Sequence, residues 1–131
     1  MSASMKGIRS LLGSGSECSS LLSCLYDLGE GDIAVLRTMA SNGESSLDEI
    51  SAALSRDRST VHRSLSKLLV LGMCYRTKKG IHGGGYYHVY GLVDTERIRR
   101  RVDGDVKEMV AALDLLLSNF SRNFEKMVGG M

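Results

Sequence analysis

Two short runs hold most of the side chains that could do chemistry. The first is Arg58, Ser59, Thr60, His62, Arg63 and Lys67. The second is the pair Lys78 and Lys79, at the head of a turn that contains Gly80, Gly83, Gly84 and Gly85. What these residues offer is hydrogen bonding and ion pairing, not bond making. An Arg can bond a guanine edge bidentately, Ser and Thr reach bases or phosphates, and Lys neutralises phosphate. The first run could equally be a solvated helix face with no specific partner, and on that run alone both readings stand.

Other chemistry has less support. Cys18, Cys24 and Cys74 are odd in number and fit no disulfide framework. With His62, His82 and His88 they match no zinc spacing, and there is no CxxC. Cys18 and Cys24 lie six residues apart, which on one helix turns them to different faces. Cys74, two residues after Gly72, reads as a small buried hydrophobe. A thiol switch through any of the three stays open, and no metal or cofactor is expected. No catalytic triad signature, GxGxxG or P-loop is present, so an enzyme is not expected.

The elements that carry the two runs follow from spacing. Ser46 and Glu49 make a capping box, in which each side chain bonds the other's backbone N–H. Behind it Leu47, Ile50, Ala53 and Leu54 form one apolar helical face, ending near Leu54. Ser55, Arg56 and Asp57 form a turn, with Asp57 as cap of the next helix. In that helix Val61, Leu65, Leu68 and Leu69 are the buried stripe, the polar run lies on the other faces, and Gly72 stops it. Residues 73–77 and 86–90 read as two strands, joined by a long, mobile, glycine-rich loop over residues 78–85. A helix, a polar second helix and a basic hairpin in this order predict a winged helix-turn-helix. The fold class is mainly α with a small β-hairpin wing.

Charge is distributed to match. The chain is only +2 overall, but residues 17–55 carry −6 and residues 56–93 carry +6. The basic block coincides with the second helix and the wing, the electrostatic footprint of a DNA-binding face.

The run Asp57-Arg58-Ser59-Thr60-Val61-His62-Arg63, continued by Ser64-Leu65-Ser66-Lys67-Leu68 and then Leu71-Gly72-Met73, resembles a known pattern. It is similar to the recognition helix and following strand of prokaryotic winged-helix transcriptional regulators. The archaeal TrmB-like group is nearest and the MarR-like group next. Residues 32–39, ending at Asn42-Gly43, resemble the first core helix of that family, and residues 47–51 the second. The likeness covers about residues 28 to 93. It implies that Arg58, Ser59, Thr60, His62 and Arg63 face DNA and that Lys78 and Lys79 touch phosphate. Arg58, Ser59, His62 and Arg63 are expected to read or position on bases, with Thr60 and Lys67 on the backbone. Two features depart from the family. The Gly83-Gly84-Gly85 wing is unusually rich in glycine, and the 131 residues end soon after one long helix, short of the large sugar-binding domain of full-length TrmB proteins. Sugar sensing is therefore not expected.

The tail predicts a second role. Asp94 or Thr95 can cap a helix from about 96 to 127. Its apolar residues Ile98, Val102, Val106, Met109, Leu113, Leu116, Phe120 and Phe124 recur at spacings of four and three, a coiled-coil-like seam. A second copy of the chain is the economical partner, through Val106, Met109, Leu113, Leu116 and Phe120. The helix folding back on its own domain is the alternative. Gly104, between Asp103 and Asp105, is expected to bend or break it, since mid-helix Gly costs roughly 1 kcal/mol against Ala. Arg97, Arg99, Arg100 and Arg101 read as a surface cluster compensated by neighbouring acids, with added phosphate contacts as the alternative.

The organisation expected is a flexible segment over residues 1–16, a DNA-binding domain with its N-terminal helix over 17–93, and a dimerisation helix over 94–128. Ile8, Leu11 and Leu12 could form one apolar turn within the first segment, and Cys18, Leu21, Leu22 and Leu25 an apolar helical side after it. No apolar run approaches membrane-spanning length and no secretory signal is evident, which predicts a cytoplasmic protein with no membrane partner. The expected partners are double-stranded DNA with a pseudo-palindromic operator, a second copy of the chain, and an effector that no constellation of residues identifies. A protein-interaction module of transcription or replication machinery is the alternative from another class. A non-specific, chromatin-like DNA binder is a further alternative.

Overall fold

The computed structural model describes residues 17–129. The expected N-terminal flexible segment, with its turn of Ile8, Leu11 and Leu12, lies outside the described residues. Helix α1 spans Glu17–Tyr26 and α2 Glu30–Asn42. Strand β1 (Ser45–Ser46) leads into α3 (Leu47–Leu54) and α4 (Arg58–Val70). Strands β2 (Cys74–Gly80) and β3 (Tyr86–Leu92) follow, then α5 (Thr95–Ser118) and α6 (Phe120–Val128). Contacts divide the chain into two units, with the boundary between Ile98 and Arg99.

In the first unit the helices begin and end where local chemistry dictates. The Ser46 hydroxyl accepts from the Glu49 N–H at 3.1 Å, and Glu49 accepts from the Ser46 N–H at 2.8 Å. That satisfies two donors at the start of α3. Asp57 caps α4, accepting from the Thr60 N–H at 3.2 Å. Gly72, at φ 73°, closes α4, donating to the Leu69 carbonyl at 3.0 Å while Met73 donates to Leu68 at 3.0 Å. The inward faces of α2, α3 and α4 then meet: Val35, Met39, Ile50, Val61, Leu65, Leu68 and Met73 are buried, with Leu28 and Tyr90 beside them. Truncating a fully buried Leu such as Leu65 to Ala costs about 2–5 kcal/mol. The core thus fixes which face of α4 is left outside.

The sheet has the order β1-β3-β2, all antiparallel. β1 was not legible as a strand, because its two residues have no alternating pattern and pair only through Tyr90 and Val89 of β3. The hairpin is also longer than the expected one. Lys78, Lys79 and Gly80 extend β2, opposite His88, Tyr87 and Tyr86. The expected long, mobile loop is instead a tight turn. Ile81 N–H donates to the Gly85 carbonyl and Gly84 N–H to the Ile81 carbonyl, each at 3.0 Å. Gly83, Gly84 and Gly85 take φ values of 97°, 122° and 80°, which side chains rarely allow. The three glycines serve to reverse the chain compactly.

Helix α5 starts after Asp94, whose carbonyl accepts from the Arg97 and Ile98 N–H groups. The expected break at Gly104 is corrected: α5 runs unbroken through it. Two i,i+4 ion pairs, Arg101–Asp105 at 3.3 Å and Lys107–Asp103 at 2.9 Å, bracket the glycine and favour helix there. The interruption comes at Asn119 instead. Ser118 and Asn119 side chains donate to the carbonyls of Asp114 and Leu115 at 2.9 and 3.1 Å, local bonds that loosen a helix. In the second unit Met109, Leu113, Leu116 and Phe120 are exposed and Val106 is half-buried. Phe120 and Phe124 stack with ring centroids 5.4 Å apart.

Candidate nucleic-acid interface

Because Val61, Ser64, Leu65 and Leu68 face the core, α4 turns Arg58, Ser59, His62, Arg63 and Ser66 outward. Arg58, His62 and Ser66 follow at intervals of four, as do Ser59 and Arg63, so they line one side of the helix. The N-terminal turn is built tightly. The hydroxyls of Ser59 and Thr60 each donate to the Asp57 carboxylate at 2.6 Å. Those bonds and the Thr60 N–H hold Asp57 well below the usual carboxylate range. Arg63 reaches the Thr60 hydroxyl at 3.5 Å, and no carboxylate among the described residues pairs with it.

Four other cations of this region, Arg58, Lys67, Lys78 and Lys79, have acidic or aromatic neighbours. Arg58 pairs with Asp48 at 2.7 Å and Lys79 with Glu44 at 3.2 Å. The Tyr75 hydroxyl donates to the same Glu44 at 2.7 Å, and these two partners hold Glu44 below the ordinary carboxylate range. Lys78 sits over the Tyr86 ring, 4.3 Å from its centroid. Lys67 stands apart from the rest. Its ammonium bonds Asp32 at 2.9 Å and the Asp27 carbonyl at 3.2 Å, so it faces α2 and the segment before it. Asp32 also accepts from Ser64 and from the Gly29 N–H. Burial raises the Asp32 pKa, but its bonds with Ser64, Lys67 and Gly29 outweigh that and leave it lowered.

The structure therefore brings Arg58, Ser59, Thr60, His62 and Arg63 together on one end and side of α4, and puts Lys78 and Lys79 on adjacent positions of β2. It sets Lys67 against the scaffold. Sequence reasoning missed the acids. Asp48 sits ten residues before its partner, and Glu44 thirty-five before its own, spacings with no local signature.

The comparisons with known proteins bear on this arrangement. Residues 22–96 match the family described as the sugar-specific transcriptional regulator TrmB. The chain belongs to the TrmB family. The matched stretch runs from α1 through the wing to the start of α5, so it contains every residue of the basic face. An uncharacterized protein of Methanocaldococcus jannaschii is 32% identical over 89 residues, covering 68% of this chain and 67% of that one. A solved structure described as a possible transcriptional regulator, from Methanosarcina mazei Go1, superposes with a TM-score of 0.72 at 25% identity, over 79% of this chain and 88% of that one. A protein of the thermoacidophilic archaeon Sulfolobus tokodaii gives 0.61 at 26% identity, over 72% and 93%. As a TrmB-family protein the chain is a winged-helix transcriptional regulator and not an enzyme, with DNA as the partner its family implies. Among the described residues no helix is long and apolar enough to cross a membrane, and no group of three or more His, Cys, Asp or Glu could hold a metal.

Proposed function

We propose that this TrmB-family protein binds a specific operator as a homodimer, with α4 in the major groove and the basic wing on the backbone. The observation that carries this is the outward side of α4. There Arg63 and His62 lie exposed beside a capped helix N-terminus, and Arg63 has no acidic partner among the described residues. An Arg in that position can bond a guanine edge, and a helix N-terminus favours phosphate. Arg58 and Ser59 complete the base-facing set and Thr60 the backbone set. Lys78 and Lys79 contact phosphate from the wing, and Lys67 belongs to the scaffold.

Dimerisation rests on the second unit. Val106, Met109, Leu113 and Leu116 of α5 alternate at three and four, the spacing of a two-helix seam, and Phe120 follows at the same spacing beyond the interruption at Asn119. Leu113 and Leu116 are 57% and 61% exposed, an uncovered apolar face that a second copy would bury. Residues 94–131 carry equal numbers of acids and bases, so two copies would not repel strongly there. Two reading helices roughly 34 Å apart would make the operator a pseudo-palindrome. A cytoplasmic location is part of the same proposal.

Fluorescence anisotropy across a salt series tests the reading, with DNA from upstream of its own gene against scrambled DNA. Tighter binding to the upstream DNA near physiological salt supports it. Equal binding that vanishes with salt would make the protein a non-specific binder, and no binding would favour a protein-interaction module. Arg63→Ala is expected to lose about ten- to a hundredfold on operator and far less on scrambled DNA. Lys78→Ala weakens both alike.

A further inference from the structure

Three of the seven cations in residues 56–93 pair with acids of the preceding block: Lys67 with Asp32, Arg58 with Asp48, and Lys79 with Glu44. Lys67–Asp32 is partly buried and braces the core. The other two are different in kind. The side chains of Arg58 and Asp48 are 69% and 74% exposed, and those of Lys79 and Glu44 are 48% and 35% exposed. Exposed pairs add little to stability, so the fold does not need them. Their positions are informative: Asp48 stands at the first residue of α4, and Glu44 at a lysine of the wing.

We propose that Asp48 and Glu44 hold down the phosphate affinity of the DNA face, and that Asp48, through Arg58, is thereby a specificity-determining residue. In the free protein they occupy Arg58 and Lys79, and so hold down binding to DNA that offers only phosphate. The inference rests on the DNA-binding reading above. Its physical basis is ion exchange. An unpaired cation that neutralises a phosphate releases about 0.9 of a counterion, the entropic drive for sequence-independent binding. A cation that leaves a carboxylate for a phosphate uncovers that carboxylate, which takes up a counterion in turn, so the net release is near zero. The uncovered acid also repels the phosphates beside it. A site that gives Arg58 a guanine edge as well offsets this loss, and a bare backbone does not.

The test measures Asp48→Asn and Glu44→Gln, each on upstream and scrambled duplex across a salt series. Each change keeps the side-chain shape, and a circular dichroism spectrum checks the fold. Asp48→Asn is expected to tighten binding to scrambled DNA severalfold and to steepen the slope of log K against log salt by about 0.9. Upstream DNA gains less, so the ratio of the two affinities falls. Glu44→Gln, which probes the second pair independently, steepens the slope by a similar amount on both DNAs. Asp103→Asn is the control. It removes the same charge from a pair with Lys107 at 2.9 Å in the second unit, and is expected to leave the slope unchanged. Unchanged slopes in Asp48→Asn and Glu44→Gln, with DNA still bound, would overturn the inference and leave the DNA reading intact. An equal change in Asp103→Asn would also overturn it, since net charge alone would then be acting. Failure of the wild-type protein to bind either DNA would overturn the DNA reading and the inference together.

Discussion

The Lys67 ammonium lies 2.9 Å from the Asp32 carboxylate, across 35 residues of sequence, and the pair ties α4 to α2. Asp32 is buried, and it also holds Ser64 of α4 and the N–H of Gly29 ahead of α2. One carboxylate thus sets the first turn of α2 and the register of α4 against it, which fixes the direction in which Arg63 and His62 point.

Asp32→Ala should therefore destabilise the first unit by about 3 kcal/mol, since it strips charged hydrogen bonds from a buried site. Lys67→Met should cost less, about 1 kcal/mol, because the lysine is 43% exposed and solvent screens it. The pKa of Asp32 is lowered on folding, so its contribution is present above the ordinary carboxylate range and is lost as pH falls through and below it. Urea unfolding at neutral and acid pH measures both effects. Wild type should lose more stability between the two conditions than Asp32→Asn does.

Thiol reactivity should separate the cysteines. Cys18 and Cys24 are exposed, whereas Cys74 is buried with its thiol toward the Leu65 carbonyl. Burial pushes the Cys74 pKa up to about 11, so its thiolate is scarce in the folded protein. A maleimide titration near pH 8 should label Cys18 and Cys24 quickly and Cys74 only on unfolding. The same shift weakens the fold as pH rises between about 9 and 11, because the unfolded thiol ionises first.

Gly104→Ala should strengthen α5. A Cβ at Gly104 would meet nothing within 4 Å, and Ala in place of a mid-helix Gly is worth about 1 kcal/mol. Thermal unfolding followed by circular dichroism should show a higher midpoint for the tail helix. A lower midpoint would mean that the glycine is needed where it stands.

Leu113→Glu with Leu116→Lys should convert the proposed dimer to monomer. Both positions are exposed, so the fold of the first unit should survive. Sedimentation at several concentrations reads the state directly. In the monomer, operator affinity should fall sharply while binding to scrambled DNA falls less, since only operator recognition needs two aligned helices.

Much of this molecule was legible without coordinates wherever the signal is local. Ser46 with Glu49, Asp57 and Gly72 mark helix ends because their bonds span three or four residues, and those bonds form as expected. The outward side of α4 follows from Val61, Leu65 and Leu68 at helical spacing, since whatever is opposite a buried stripe is outside. Even the continuity of α5 through Gly104 could have been read, because Asp103–Lys107 and Arg101–Asp105 are local pairs.

What only the tertiary structure decided is the company each cation keeps. Lys67, Arg58 and Lys79 look alike in the sequence as parts of one basic block. Folding gives the first a buried acid from α2 and the other two exposed acids from the segments beside β1. The same holds for β1 itself and for the wing lysines, which join the ladder because β3 presents partners to them. Helix caps and stripes are set by neighbours along the chain, whereas ion pairs and strand register depend on which distant segments the core brings together.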